Sequence, residues 1–183
     1  MSPAYCSKMN TVMSIKAYLL YSVIWIILLS SCSRKTSEGR PSPLALDSTQ
    51  LAFSSVSIAY SSPGVKERKI WGDLVPYGNI WRTGANEATV FSTSKPIHIQ
   101  NELLPAGKYS VFTIPDSQKW TIIFNEEWDQ WGAYNYDESK NALTIQIEPD
   151  IVKEYQERLK FYFEDNQLVF HWEYLRFALN LTE

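Results

Sequence analysis

Alternation with a period of two is the feature that most limits what this chain can fold into. Leu143, Ile145 and Ile147 alternate with Thr144, Gln146 and Glu148. Side chains alternate this way on a strand with one buried face. The pattern recurs in Val56, Ile58 and Tyr60, in Ile97 and Ile99, and in Trp120, Ile122 and Phe124. It returns in Leu159, Phe161 and Phe163, and again in Phe170, Trp172 and Tyr174. Turn residues separate these runs: Asn101-Glu102, Pro115-Asp116-Ser117 and Asp165-Asn166, the last suited to a tight hairpin. After Tyr174 the apolar set moves to odd positions, Leu175, Phe177, Leu179 and Leu181. A one-residue change of phase implies a bulge or bend near Tyr174. Pro149 to Gln156 has room for one helical turn. The expectation is an all-β domain over residues 49–183, an antiparallel β-sandwich of jelly-roll or immunoglobulin-like kind with long aromatic-rich loops.

The N-terminal part follows different rules. Ala17 to Leu29 is apolar and uncharged, and Lys16 precedes it. The run is short of the roughly 20 residues that a helix needs to cross hydrocarbon, and its basic start marks it as a secretory signal. The sequence Leu29-Ser30-Ser31-Cys32 resembles the bacterial lipobox. That resemblance implies cleavage after residue 31, lipid on Cys32 and a membrane partner reached through that lipid. Residues 1–31 are then a lipoprotein signal peptide, with Met13 an alternative start. Residues 32–48 are the lipidated N-terminus and a flexible tether, most clearly the polar Ser33 to Pro43. Ser33 after the cysteine, where aspartate favours inner-membrane retention, points to the outer membrane, facing the periplasm.

Composition then removes several function classes. The net charge is −3, and the signal segment takes Lys8 and Lys16 but no acid, so the mature chain is more acidic still. No basic excess points to nucleic acid. Beyond Cys32 there is no cysteine, and only His98 and His171 remain as imidazoles. Neither a disulfide nor a cysteine or histidine metal site is expected, and no cofactor is implied. Both histidines fall on outward strand faces and are expected at the surface. Ser92 and Ser110 lack the elbow of a serine hydrolase, and no phosphate-cradling glycine loop occurs.

Two stretches do not read as strands. Ser61 to Thr89 is long and punctuated by Pro63, Gly64, Gly72, Pro76, Gly78 and Gly84. Phe124 to Ser139 packs Trp128, Trp131, Tyr134 and Tyr136 close together. Long ordered loops are often functional. The strings PGVKERKIWGDLVPYGNIWRTGANEAT, LPAGKYSVFTIP and WTIIFNEEWDQWGAYNYDES resemble the bacterial family catalogued as domain of unknown function 2911, across roughly Leu51 to Leu181. Ser62 stands where that family tends to carry Arg, and Glu67 where it tends to carry Gly. The resemblance implies an envelope β domain and supplies neither an activity nor catalytic residues.

The candidate ligand-binding residues are Trp71, Tyr77, Trp81, Arg82, Asn86, Glu87, Trp128, Asp129, Trp131 and Tyr134. Flat aromatic faces beside amides and acids suit sugar rings, whose CH faces stack while their hydroxyls find polar partners. With seven Trp in the chain, some must serve packing. Arg82, Asn86 and Glu87 can form a ligand clamp or an internal ion pair and amide that fasten the loop to the sheet. The leading expectation is a non-catalytic envelope lipoprotein that binds a glycan or small ligand. One alternative is a glycan hydrolase using Glu87, Glu126, Glu127 or Asp129. The other is a structural or assembly partner of another envelope protein.

Overall fold

The computed structural model describes residues 39–183. The signal peptide, the alternative start at Met13, the lipidation site Cys32 and the first part of the tether lie outside the described residues.

Ten strands form two antiparallel sheets that together make a β-sandwich. The larger sheet has the order β1 (Leu44–Gln50), β2 (Ser55–Ser61), β3 (Thr89–Thr93), β6 (Gly107–Ile114), β7 (Trp120–Asn125), β8 (Asn141–Ile147). The smaller has the order β5 (Glu102–Leu104), β4 (Ile97–Ile99), β10 (Gln167–Thr182), β9 (Asp150–Glu164). The chain meanders through β1–β3, crosses to make the β4–β5 hairpin, returns for β6–β8, and crosses again for the long β9–β10 hairpin. This order is neither immunoglobulin nor jelly-roll, so the finer expectation is corrected while the sandwich stands.

The alternating residues do what their period requires. Val56, Ile58, Tyr60, Trp120, Ile122, Phe124, Leu143, Ile145, Ile147, Leu159 and Phe161 all enter the core between the sheets. At its centre Phe170 stacks on Phe177 with centroids 4.7 Å apart, and Trp120 packs 5.9 Å from each. Asp165 and Asn166 both take positive φ, 46° and 58°, as a two-residue type I′ hairpin demands. The β4–β5 turn uses Gln100 and Asn101 in the same way, one residue earlier than the sequence suggested. The phase change on β10 is a bulge at Glu173, with φ 58°. It turns Tyr174 outward, so Tyr174 does not continue the inward set.

Three expectations change. Residues 44–48 belong to β1 and not to a flexible tether: β1 is an edge strand with exposed Leu44 and Leu46, held by its ladder to β2, so no hydrophobic pattern announces it. Pro149 to Gln156 forms no helical turn, because β9 starts at Asp150 and its first half is exposed on most positions. His171 is 4 % exposed, not a surface residue. The β9 ladder bulges opposite it, which brings the Glu154 carbonyl to 3.2 Å from His171 Nε2.

The other face of the larger sheet is covered as well. Phe112 and Ile123 pair across β6 and β7 and point away from the main core. Ala88, Ile80, Ala133 and Tyr136 close over them, with Tyr136 edge-on to Phe112 at 5.1 Å. The two long loops are therefore ordered by burial on this sheet.

Replacing Trp120 with Ala removes a side chain that is 1 % exposed and meets Trp71, Phe170 and Phe177. A loss of about 3–5 kcal/mol is expected. Urea denaturation with an unchanged slope measures it, and a loss below about 1 kcal/mol would contradict this packing.

Candidate functional site

The loop from Ser61 to Thr89 closes one end of the sandwich. Its first part is stitched to β9. Ser62 Oγ donates to the Leu159 carbonyl at 2.7 Å, Leu159 N–H to the Pro63 carbonyl at 2.9 Å, and Val65 N–H to the Glu157 carbonyl at 2.8 Å. Glu157 Oε1 also accepts the Lys66 N–H at 3.1 Å. Lys66 and Glu67 take φ of 49° and 58°, the left-handed region where only glycine is free of strain. Ser62 is buried.

The middle of the loop inserts aromatic rings between the sheets. Trp71 lies edge-on to Trp81, Trp120 and Trp172, at 6.1, 4.8 and 5.6 Å. Trp81 stacks on Trp172 at 5.9 Å and 20°. The Trp81 backbone pairs with Thr113 through two 2.8 Å hydrogen bonds, so it occupies the lane beside β6 beyond the end of β3.

The chain then turns sharply. Thr83 is fully buried with φ 51°, a conformation costing a β-branched residue about 1–3 kcal/mol. Its hydroxyl donates to the Val111 carbonyl at 3.0 Å, and its carbonyl accepts from Thr89 Oγ1 at 2.9 Å. Gly84 follows because a Cβ there would sit 3.1 Å from the Ser61 carbonyl oxygen and 3.0 Å from Thr89 Oγ1.

Between this turn, the tether and β10 lies a cleft of about 180 Å³, lined by residues including Ser42, Arg68, Trp81, Arg82 and Trp172. Arg68 is committed to its own loop, donating to the Val65 and Gly64 carbonyls at 3.1 and 2.6 Å. Arg82 is not. Its Nε and the Trp172 Nε1 are buried with no hydrogen-bond partner among the described residues, as is Trp71 Nε1 behind them. Burial pushes the Arg82 guanidinium below its ordinary range, with Tyr134 opposing. None of the cleft-lining residues is Asp or Glu.

The expected ion pair of Arg82 with Glu87 is not formed. Glu87 instead holds Arg40 of the tether, with Nη1 at 2.8 and 3.1 Å from its two oxygens, and accepts from Ser61 Oγ at 3.2 Å. Asn86, at φ 58°, donates to the Ser42 carbonyl and Ser61 Oγ, both at 3.3 Å. These two residues fasten the end of the tether, helped by the bond from Ser62 N–H to the Pro43 carbonyl. The tether is therefore fixed from Arg40 onward.

The second loop runs beside the first. Ala88 N–H donates to the Gln130 carbonyl and Gly132 N–H to the Asn86 carbonyl, both at 3.0 Å. This brings Trp131 opposite Glu87 and Tyr134 into the field of Arg82. Trp131 is 56 % exposed and Tyr134 85 %. Trp128 is exposed with Lys108 Nζ 4.7 Å over its ring, and Asp129 is exposed. Tyr77 is exposed and packs against Gly72.

The candidate residues thus divide. Trp71 and Trp81 pack on the core, with Trp81 and Arg82 at the cleft. Asn86 and Glu87 clamp the tether. Tyr77, Trp128, Asp129, Trp131 and Tyr134 are surface residues. Sequence reasoning missed Arg68, Trp172 and Ser42. Trp172 reads as an ordinary inward strand residue, and nothing in the tether marks Ser42.

Gly84→Ala should destabilise the domain by roughly 1–3 kcal/mol, since backbone must move to admit the methyl. Thermal unfolding reports it, and a neutral substitution would show that the turn is looser than described. Burial raises the Glu87 carboxyl, but its own backbone N–H, Arg40 and Ser61 together hold it below the ordinary range. Its stabilising contribution is therefore present above the unfolded value of about 4.3 and lost as pH falls through the folded one. The pair is part-exposed and screened, so Glu87→Gln should cost only roughly 0.2–1 kcal/mol at neutral pH. It should also flatten the acid limb of a plot of Tm against pH, and an unchanged acid limb would count against the clamp.

No curated protein and no solved structure matches the chain. A profile of the family described as "Protein of unknown function (DUF2911)" matches residues 42–181, from the last residues of the clamped tether to the end of β10, and the chain belongs to that family.

Proposed function

We propose that this chain is a cell-envelope lipoprotein, anchored through lipid on Cys32 to the periplasmic face of the outer membrane, whose β domain is a non-catalytic binding module. The observation that carries the binding reading is the cleft beside Trp81 and Arg82. It is lined by the part-exposed Arg82, which makes no hydrogen bond or ion pair among the described residues, and by the indoles of Trp81 and Trp172. Aromatic walls on a rigid sandwich suit a glycan or another small ligand. The anchor reading rests on the lipobox residues and on a tether fixed to the domain at Arg40. From Cys32 to Arg40 the chain reaches at most roughly 29 Å when fully extended, which keeps the cleft close to the membrane surface.

The hydrolase reading finds less support. The carboxyl of Glu87 is held below its ordinary range, the wrong direction for a general acid, and it already serves Arg40. Glu126, Glu127 and Asp129 are exposed.

Titrating the full chain in mild detergent with a panel of envelope and plant glycans should give a saturable change in Trp fluorescence. Silence across the panel would count against a glycan ligand. Cys32→Ala should block processing or release the protein from membranes on fractionation. A variant still cut to the mature size and still membrane-bound would refute the anchor.

A further inference from the structure

We infer that the cleft beside Arg82 recognises an oxyanion group, a carboxylate or phosphate, on a small ligand. This rests on the reading of the domain as a binding module and adds the chemistry of what it binds.

Three observations converge. First, the lining carries two guanidiniums and no carboxylate. Arg68 spends two of its nitrogens on loop carbonyls, while Arg82 makes neither a side-chain hydrogen bond nor an ion pair among the described residues. Arg82 is part-exposed and only its Nε is cut off from solvent, so an anion entering the cleft meets a guanidinium that no protein group already holds. Second, Trp81 and the 1 % exposed Trp172 line the cleft beside Arg82, and an indole-lined wall of low dielectric strengthens a charge-assisted pair formed against it. Third, the acid nearest to Arg82 in sequence, Glu87, is held by Arg40 and Ser61 and does not serve as an internal substitute.

Size restricts the ligand further. About 180 Å³ is below the roughly 300–1,000 Å³ of sites that enclose a whole drug-sized molecule. The cleft takes one compact charged end, and the remainder of the ligand lies outside it. Trp81, Leu74 and Val75 supply an apolar wall for the carbon attached to that group.

The test titrates the full chain in mild detergent with galacturonate, glucose 6-phosphate and neutral galactose, read by Trp fluorescence. Either charged sugar should saturate at least tenfold below galactose, and which of them does so tells a carboxylate source from a phosphate source. Arg82→Gln should weaken binding of the charged sugar at least tenfold. The thermal midpoint of the variant shows whether it folds, and the comparison of sugars uses the unaltered chain and does not depend on it. Galactose binding as well as the charged sugars would overturn the oxyanion inference and leave the binding module standing. Unchanged affinity in a folded Arg82→Gln would do the same. Silence from all three sugars and from the glycan panel would overturn both.

Discussion

Trp71 is the wedge on which one end of the molecule depends. It comes from a loop, yet its ring meets Trp120 of the larger sheet and Trp172 of the smaller one. A sandwich has open ends wherever its sheets separate, and this end is filled by a side chain that belongs to neither sheet. Edge-on aromatic pairs contribute about 0.5–1.5 kcal/mol each beyond the area they bury, and Trp71 makes three. With Trp71 seated, Val65, Ile70 and Val75 are buried behind it. The loop is then as fixed as a strand although it has almost no ladder of its own. The same seating places indole N–H groups where no backbone carbonyl reaches them.

That loop also has to change sides. Trp81 packs on the core between the sheets, while Ile80 and Ala88 lie on the outer cluster with Phe112. Adjacent residues of the strand-like segment beside β6 point to opposite faces, so Ile80 and Trp81 serve both before the chain turns tightly at Thr83 and Gly84 to reach Ala88. The positive φ of Thr83 and the absent Cβ of Gly84 are the local consequences. Strain of this kind persists only where the surroundings over-determine it, and here the hydroxyls of Thr83 and Thr89 do so. Arg82 sits immediately before the turn, so its position is set by backbone geometry and not by a side-chain partner.

Much of this was legible in the sequence. Period two marks β2, β4, β7, β8, the end of β9 and β10, and the shift from Phe170 and Trp172 to Leu175 and Phe177 locates the bulge to within a residue, while the short strands β3 and β5 offer too few alternating positions to read. β1 and the first half of β9 escaped because edge strands are held by ladders and bury little, leaving no alternation to read. The topology escaped because alternation carries no information about which strand lies beside which. The site was legible only in part. Trp81 and Arg82 stood out as unusual loop chemistry, but their partners in the cleft, Trp172 and Ser42, come from remote segments that look like core and tether. The choice of partner for Glu87 was unreadable for the same reason. Arg82 is near in sequence, Arg40 is distant, and only the fold sets the distances.

That choice of partner decides the character of the cleft. If Glu87 paired with Arg82, the loop would carry its own internal ion pair, the cleft would keep only the charge of Arg68, and the tether would lose its only ion pair to the domain among the described residues. By pairing with Arg40, Glu87 neutralises a tether charge and leaves the charge of Arg82 beside two indoles. The neighbouring Asn86 reinforces this by holding the Ser42 carbonyl, which brings Ser42 to the rim of the cleft. One short segment, Asn86-Glu87, thus both fixes the tether and leaves the cleft positive. The tether is part of the cleft wall, so the segment that leads toward the proposed anchor also helps to shape the site.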